Sequence, residues 1–219
     1  MSLILNNNIN NLFKIGLWKI ESSDNIDLQD LNLNKNQYAT YKNINNYKRK
    51  IEWLTSRFLI KLVLNSNHLF NLLFTDKNGK LYFIDSTYNI SISHSKYYII
   101  VIISKQYQIG IDIEVINYNN KINSVKKFLN KYEFLMLKNI NILHFYLYWT
   151  VKESIYKCYS NLIKSLKNDI TLIKGNLSIL GFINAKIENY NFYVKSYYII
   201  FSDCIIALCI NNYNYEKHL

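Results

Sequence analysis

Residues 88–116, YNISISHSKYYIIVIISKQYQIGIDIEVI, constrain the fold more than any other part of the chain. Short runs rich in isoleucine and tyrosine, and strict alternation near the end, are typical of successive β-strands. Residues two apart on a strand face the same way. Asp112 and Glu114 therefore project from one face of the last strand, and the isoleucines project from the other. The segment predicts a sheet that brings two carboxylates close together.

A helix and a hairpin precede these strands. Apolar residues recur at helical spacing between Tyr41 and Leu64, which predicts a long amphipathic helix over residues 42–64. Four basic residues flank its apolar stripe: Arg49, Lys50, Arg57 and Lys61. In residues 72–85, LLFTDKNGKLYFID, an Asn-Gly pair between two apolar runs predicts a β-hairpin.

The remaining segments complete a mixed order of elements. We expect a first strand at residues 12–20, helices at 124–139 and 144–164, and a strand at 191–210; the first forty residues are weakly patterned. Strands and helices in this order predict an α+β fold. We expect two similar halves forming a pseudo-dimer, each a small antiparallel sheet packed against a long helix. The halves are residues 1–105 and 106–219, with the active site between them.

Composition limits the partners and the compartment. The chain has 219 residues and a formal net charge of +11, which favours phosphorylated ligands, polyanions or an acidic protein partner. Its apolar runs are too short to span a bilayer, and the N-terminus lacks signal-peptide features. Three cysteines without metal-ligand spacing indicate core residues in a reducing compartment. We expect a cytoplasmic protein without a membrane partner.

The two strand acids allow two interpretations. Adjacent carboxylates repel each other unless a cation lies between them, and Mg²⁺ prefers oxygen ligands such as these. Alternatively, Asp112 and Glu114 lie on a solvated strand face. Residues 148–163, YWTVKESIYKCYSNLI, form a helical pattern in which Glu153 and Lys157 lie opposite an apolar stripe of Val151, Ile155, Cys158 and Leu162. Glu153 and Lys157 are either a surface ion pair or a third acidic ligand followed by a phosphate-binding lysine.

A histidine and a serine in SISHS, residues 91–95, are a further candidate. Ser93 and His94 come directly before a buried strand. A histidine there is often structural, but hydroxyls and a histidinium also donate hydrogen bonds to phosphate.

Together these blocks resemble a known family. NISISHSKYYIIVIIS, IGIDIE and WTVKESIYK occur in the order of the three signature blocks of the 4′-phosphopantetheinyl transferases of the monomeric Sfp type. The likeness covers roughly residues 47–160. The family moves the phosphopantetheine arm of coenzyme A onto a serine of an acyl or peptidyl carrier protein, in fatty acid, polyketide or peptide biosynthesis.

The resemblance implies roles for the acidic cluster. Asp112, Glu114 and Glu153 would bind Mg²⁺, with Mn²⁺ as the alternative, on the pyrophosphate of coenzyme A. Glu153 would also be the catalytic base, directly or through a water molecule. Lys157 would hold the pyrophosphate and its developing charge, as a catalytic and a coenzyme A-binding residue.

The resemblance also implies contacts to the adenosine end of coenzyme A. Ser93 and His94 would hold phosphate, with Lys80 of the Asn-Gly-Lys turn nearby. The sequence departs from the family pattern at three places: Ser91 stands in the position of an asparagine, Lys77 replaces the expected loop arginine, and an N-terminal arginine is not evident, with Lys42 as the candidate in its place. These departures concern the nucleotide end rather than the acidic cluster.

Two other classes of function remain open at this point. A basic Mg²⁺-dependent nucleic-acid-binding protein or nuclease could use the same three acids. Its lysines and tyrosines would then contact the phosphates and bases of the nucleic acid. A non-catalytic domain would leave Glu153 and Lys157 as a surface pair. The three blocks favour the transferase, acting as a monomer on coenzyme A and an acidic carrier, with no nucleic acid expected.

Overall fold

The chain divides into two compact units, Met1–Tyr107 and Gln108–Leu219. A computed structural model describes residues 2–9, 11–21, 26–76, 79–84, 88–119, 127–136, 141–173 and 177–211. Each unit combines an antiparallel sheet with one long helix packed on it.

The first unit contains a four-stranded sheet in the order β1-β2-β6-β5 and a separate two-stranded hairpin of β3 and β4. Its elements are β1 (Ser2–Ile9), β2 (Phe13–Lys19), α1 (Leu28–Leu31), α2 (Lys35–Lys42), α3 (Tyr47–Leu64), α4 (Asn67–Asn71), β3 (Leu73–Thr75), β4 (Leu81–Phe83), β5 (Asn89–Ser95) and β6 (Tyr98–Ser104).

Helix α3 is the long helix of this unit. It begins after Asn46, whose side chain accepts a hydrogen bond from the Arg49 backbone N–H. Its buried face packs on β6 and β2. The approach to β2 requires Gly16, because a Cβ there would lie 2.5 Å from Val63 Cγ2 and 2.8 Å from Leu59 Cδ1.

The second unit contains a five-stranded sheet in the order β7-β11-β10-β9-β8, with α6 packed on β7, β11 and β10. Its elements are β7 (Gln108–Val115), α5 (Lys131–Met136), α6 (Ile142–Cys158), β8 (Ile170–Leu172), β9 (Leu180–Ile187), β10 (Phe192–Phe201) and β11 (Cys204–Asn211). A short 3₁₀ helix, Glu188–Tyr190, precedes β10. The apolar side of α6 and one face of the sheet form a continuous buried core.

The predicted mixture of helices and antiparallel sheets is confirmed. Several predicted boundaries were wrong. The long helix starts at Tyr47 rather than residue 42, because α2 ends at Lys42 and Asn46 caps a new helix. Helix α6 ends at Cys158, so Leu162 lies beyond it rather than on its stripe. The strand predicted at 191–210 is two strands, because Ser202 turns the chain with a φ of 55°.

In the described part of residues 1–42 the chain forms two strands and two helices, where the sequence indicated only one strand in the first forty residues. The asparagine-rich β1 and the strands β8 and β9 were also missed. Of the helix predicted at 124–139, Lys131–Met136 form α5 and residues 127–130 precede it, while residues 124–126 and 137–139 lie outside the described residues.

The structure bears on two predictions that were made from the composition. The three cysteines are free and buried, as predicted: Cys158, Cys204 and Cys209. In the described parts of the chain, no helix is both long and apolar enough to cross a bilayer.

Candidate active site

The candidate site lies where α6 packs on β7 in the second unit. Gly110 makes this packing possible, because a Cβ there would lie 2.0 Å from the Ser154 carbonyl oxygen and 2.4 Å from the Cys158 backbone nitrogen. Only a residue without a side chain lets the helix backbone come this close to the strand. The glycine of the sequence block therefore sets the distance between strand and helix.

Both strand acids lie on the face of the sheet that packs against the helix. Asp112 is paired across the sheet with Ala207, and Glu114 with Ile205. Ala207 and Ile205 belong to the buried core beneath α6. The predicted separation of acids and isoleucines onto opposite faces follows from this register.

Helix α6 supplies partners to both acids. Lys157 Nζ lies 2.7 Å from Asp112 Oδ1 and donates to the Ile111 carbonyl oxygen at 3.1 Å. Trp149 Nε1 donates to Glu114 Oε1 at 2.9 Å. Asp112 is 3% exposed, so its pair with the lysine is shielded from water on the carboxylate side. The face of α6 opposite its apolar stripe therefore meets the acids of β7.

Glu153 lies one turn before Lys157 on the same face of α6 and is partly buried. Its pKa is raised to about 7, first by burial and then by the negative charge of Asp112, while Lys157 opposes the rise and Glu114 adds to it. All three neighbours therefore act electrostatically on one carboxyl group. A carboxyl with a pKa near neutrality can accept a proton at physiological pH and also release it.

The three acids match the oxygen chemistry that Mg²⁺ prefers, and the repulsion among them is what a divalent cation would relieve. Among the described residues, however, no three acidic, histidine or cysteine side chains are arranged as a ready metal centre. Lys157 and Trp149 hold two of the carboxylates instead. The donor set fits the ion, and its assignment as ligands stays a prediction.

A buried ion pair holds α6 in place next to the row of residues that faces the acids. Lys152 and Glu133 are fully buried, with Lys152 Nζ 2.7 Å from Glu133 Oε2. Lys152 also donates to the carbonyl oxygens of Phe128, Leu166 and Ile170 at 2.8–3.0 Å. The lysine therefore ties α6 to the segments before α5 and before β8. The sequence analysis gave Lys152 no role, because the partners that bury it come from segments distant in the chain.

The residues predicted for the nucleotide end lie in the first unit. His94 and Ile92, on one face of β5, line a pocket together with Gly79. Ser93 points to the other face of the strand and is buried. Lys80 is exposed, and its backbone N–H donates to Asp76 Oδ1 at 2.8 Å. Lys77 lies outside the described residues.

Comparison with known proteins gives one finding. Residues 108–209 match the model of the 4′-phosphopantetheinyl transferase superfamily. The match begins at the first residue of the second unit and includes β7, α6 and the sheet beneath them. No match was found among curated proteins.

Proposed function

We propose that this chain transfers the 4′-phosphopantetheine group of coenzyme A to a serine of a carrier protein, because residues 108–209 match the model of the 4′-phosphopantetheinyl transferase superfamily. The acceptor is an acyl or peptidyl carrier protein, which passes from its apo to its holo form. The second product is adenosine 3′,5′-bisphosphate.

One observation carries the proposal. Glu153, with its pKa raised to about 7, lies beside the Asp112–Lys157 pair and Glu114. A base near neutrality next to a lysine and two acids is the set of groups that transfer from a pyrophosphate requires. A surface ion pair would explain neither the burial of Asp112 nor the rise in the pKa of Glu153.

In the proposed reaction, Glu153 accepts the proton of the carrier serine, directly or through a water molecule. The serine oxygen forms a bond to the phosphorus that carries the pantetheine arm. The bond from this phosphorus to the bridging oxygen breaks, and adenosine 3′,5′-bisphosphate leaves. Lys157 holds the pyrophosphate oxygens, whose negative charge grows as the bond breaks.

Asp112, Glu114 and Glu153 would hold Mg²⁺, or Mn²⁺ in its place. When bound, the ion supplies positive charge to the pyrophosphate and orients it. For an ion to bind, Lys157 must share or release Asp112, which would free its ammonium group for the substrate.

The proposal assigns the adenosine end of coenzyme A to the first unit. Ser93, His94 and Lys80 are the proposed phosphate contacts there, with Lys77 on the same turn. We expect the enzyme to act as a monomer in the cytoplasm.

The test is incubation of the protein with coenzyme A, MgCl₂ and a panel of apo-carriers from fatty acid, polyketide and peptide synthesis. Intact-mass measurement should show addition of one phosphopantetheine to at least one carrier. A carrier with its acceptor serine replaced by alanine should stay unmodified. If no carrier gains mass, while single-stranded oligonucleotides are cleaved in the same buffer, the nuclease is the better interpretation.

A further inference from the structure

The sheet of the second unit packs against α6 on one face, and its other face is exposed on β9 and β10. We call this exposed part the outer face. It consists of four directly opposed pairs on the two strands: Tyr193 with Lys186, Lys195 with Asn184, Tyr197 with Phe182, and Ile199 with Leu180. Val194 and Tyr198, which alternate with them along β10, belong to the core that includes α6. The outer face is therefore the solvent side of a half-buried sheet.

The composition of the outer face departs from what its exposure predicts. The solvent side of an antiparallel sheet usually carries polar residues. Here Tyr193 is 64% exposed, and Tyr197 and Phe182 are each 48% exposed. Leu180 and Ile199 are exposed as well. Large apolar side chains gathered on a surface mark an interaction site.

Two lysines lie among the aromatic rings of the outer face. Lys195 lies between Tyr193 and Tyr197 on β10, and its Nζ is 4.3 Å from the centre of the Phe182 ring. Lys186 is opposite Tyr193 on the neighbouring strand. The rings of Phe182 and Tyr197 are 6.3 Å apart and inclined at 62° to each other. Rings and ammonium groups therefore alternate along the face.

The acids of the second unit are placed elsewhere, and the eight residues of the outer face include none. The three acids of the candidate site face α6 instead. Glu133 and Asp169 are buried. Glu188 lies beyond the end of β9, where its carboxylate is 3.0 Å from Lys186 Nζ. The outer face therefore complements a partner that brings negative charge.

The size and charge of the outer face favour a nucleic acid over a second copy of the chain. An aromatic side chain buries about 150–250 Å², so five roughly half-exposed apolar residues offer on the order of 500 Å². A standard protein interface buries about 800 Å² per partner, and two copies with a net charge of +11 would repel each other. A single strand of nucleic acid needs no continuous area, because each ring stacks on one base and each lysine meets a phosphate.

We propose that the outer face binds single-stranded nucleic acid, with bases stacked on Tyr193, Tyr197 and Phe182 and with Lys195 against the phosphates. This inference does not rest on the proposed transfer, and it departs from the expectation that nucleic acid is not a partner. Asp112 is opposite Ala207 on the face toward α6. Binding should therefore need neither a metal ion nor cleavage of the strand.

The test is fluorescence anisotropy of labelled RNA and DNA strands of about 12 nucleotides, with the whole protein in EDTA. The wild type should bind both strands, and Tyr197→Ser should weaken binding on the order of 10- to 100-fold, the usual effect of losing one stacking ring. The matched control is Tyr47→Ser, which removes a ring that is 78% exposed on α3 and should leave binding unchanged. A wild type that does not bind, or equal affinities of the two variants, overturns the proposal.

A second measurement tests the charge and covers a Tyr197→Ser protein that does not fold. Lys195→Met should lower the slope of log K against log salt concentration by about 0.7, the value for one contact to a single strand. Lys48→Met, in the first unit, should keep the wild-type slope. Equal slopes of the two lysine variants would overturn the role of the outer face.

The remaining outcomes concern other occupants of the face. A duplex of the same sequence should bind at least about tenfold more weakly, because its bases present no free ring faces. Equal affinity for the duplex would overturn the stacking. Dimerisation in light scattering, or binding to phosphatidylserine vesicles, that Phe182→Ser abolishes while binding of the single strand persists would also overturn the proposal.

Discussion

Asp112 and Lys157 form a part-buried pair whose role in stability can be separated from its role in transfer. Their charged atoms are 2.7 Å apart, and the Asp112 side chain is 5% exposed. Asp112→Asn and Lys157→Met should each destabilise the protein, and the double variant should lose less than the sum of the two. Double-mutant cycles on contacting residues typically give coupling of about 0.5–3 kcal/mol.

In the same variants, the rate of transfer should change in a different way from the melting temperature. Under the proposed function each single change removes a group that acts on the pyrophosphate, so kcat should fall on the order of 100- to 1000-fold. The double variant should not recover activity, although its melting temperature recovers in part. Steady-state transfer to an apo-carrier, measured beside thermal unfolding, decides between the roles. Recovery of activity in the double variant would show that the pair is only structural.

Glu153 should make stability depend on pH. Its pKa of about 7 in the folded protein exceeds the value of about 4.3 for an unfolded glutamate. The folded state therefore holds this proton more tightly, and stability is lost as the pH rises from about 4.5 to 7. In EDTA, Glu153→Gln should raise the Tm at pH 8 and change it little at pH 4.5.

Glu188, a glutamate in the same unit, should have the opposite effect on the Tm when it is replaced by glutamine. The pKa of Glu188 is lowered, first by a side-chain hydrogen bond with Thr171. Ionised Glu188 therefore stabilises the fold above its unfolded pKa, and Glu188→Gln should lower the Tm at pH 8. If Glu153→Gln also lowers the Tm at pH 8, burial and the neighbouring carboxylates do not raise the pKa of Glu153 as the structure indicates.

At the scale of elements, the contact between β7 and α6 depends on Gly110. A Cβ in Gly110→Ala would meet backbone atoms of α6 at 2.0 and 2.4 Å, so the helix must move away from the strand. Overpacking of this kind costs about 1–3 kcal/mol or more. The displaced helix should also reduce kcat, because Glu153 and Lys157 move with it.

Gly181→Ala is the control for this change within the same sheet. Its Cβ would meet the Tyr198 hydroxyl at 2.8 Å, which is the far end of a side chain rather than backbone. We expect a smaller loss of stability and normal transfer, measured by urea unfolding and carrier modification. Wild-type behaviour of Gly110→Ala would mean that α6 does not pack as closely as described.

The Lys152–Glu133 pair tests how α6 is held in place. Lys152→Met leaves the Glu133 carboxylate fully buried without its cation, which typically costs about 3–5 kcal/mol. Lys186→Met breaks a partly exposed pair with Glu188 at 3.0 Å and should cost about 0–1 kcal/mol. Urea unfolding of both variants is the measurement. Equal small losses would contradict a structural role of the buried pair.

The sequence predicted the parts of the site that depend on local pattern. Alternation placed Asp112 and Glu114 on one face of a strand, and helical spacing placed Glu153 and Lys157 on one face of α6. It could not predict which partner each acid takes, because strand register and helix position depend on contacts such as that of Gly110 with Ser154. The contact between Trp149 and Glu114 was missed for this reason.

Burial of charged residues was also beyond prediction from the sequence. Lys152 and Arg57 flank apolar stripes, where a charged residue usually reaches water. Their burial depends on carbonyl oxygens and hydroxyls from segments distant in the chain. The weak pattern of the first forty residues likewise concealed β1, which pairs with the neighbouring strand β2, and α1 and α2, which pack on α3.

At the scale of the whole molecule, a net charge of +11 should act on the encounter with an acidic carrier. Oppositely charged partners associate faster at low salt, and the effect weakens as the Debye length falls from about 10 Å at 0.1 M to about 3 Å at 1 M. Between about 0.05 and 0.5 M NaCl, kcat/KM for an acidic apo-carrier should fall on the order of tenfold. The kcat at saturating carrier should change little, because the charges at the site are partly buried and less screened.

The control is a carrier variant with its surface acids replaced by neutral residues, for which kcat/KM should be lower and nearly independent of salt. Equal salt dependence for both carriers would show that the positive charge of this protein serves another ligand.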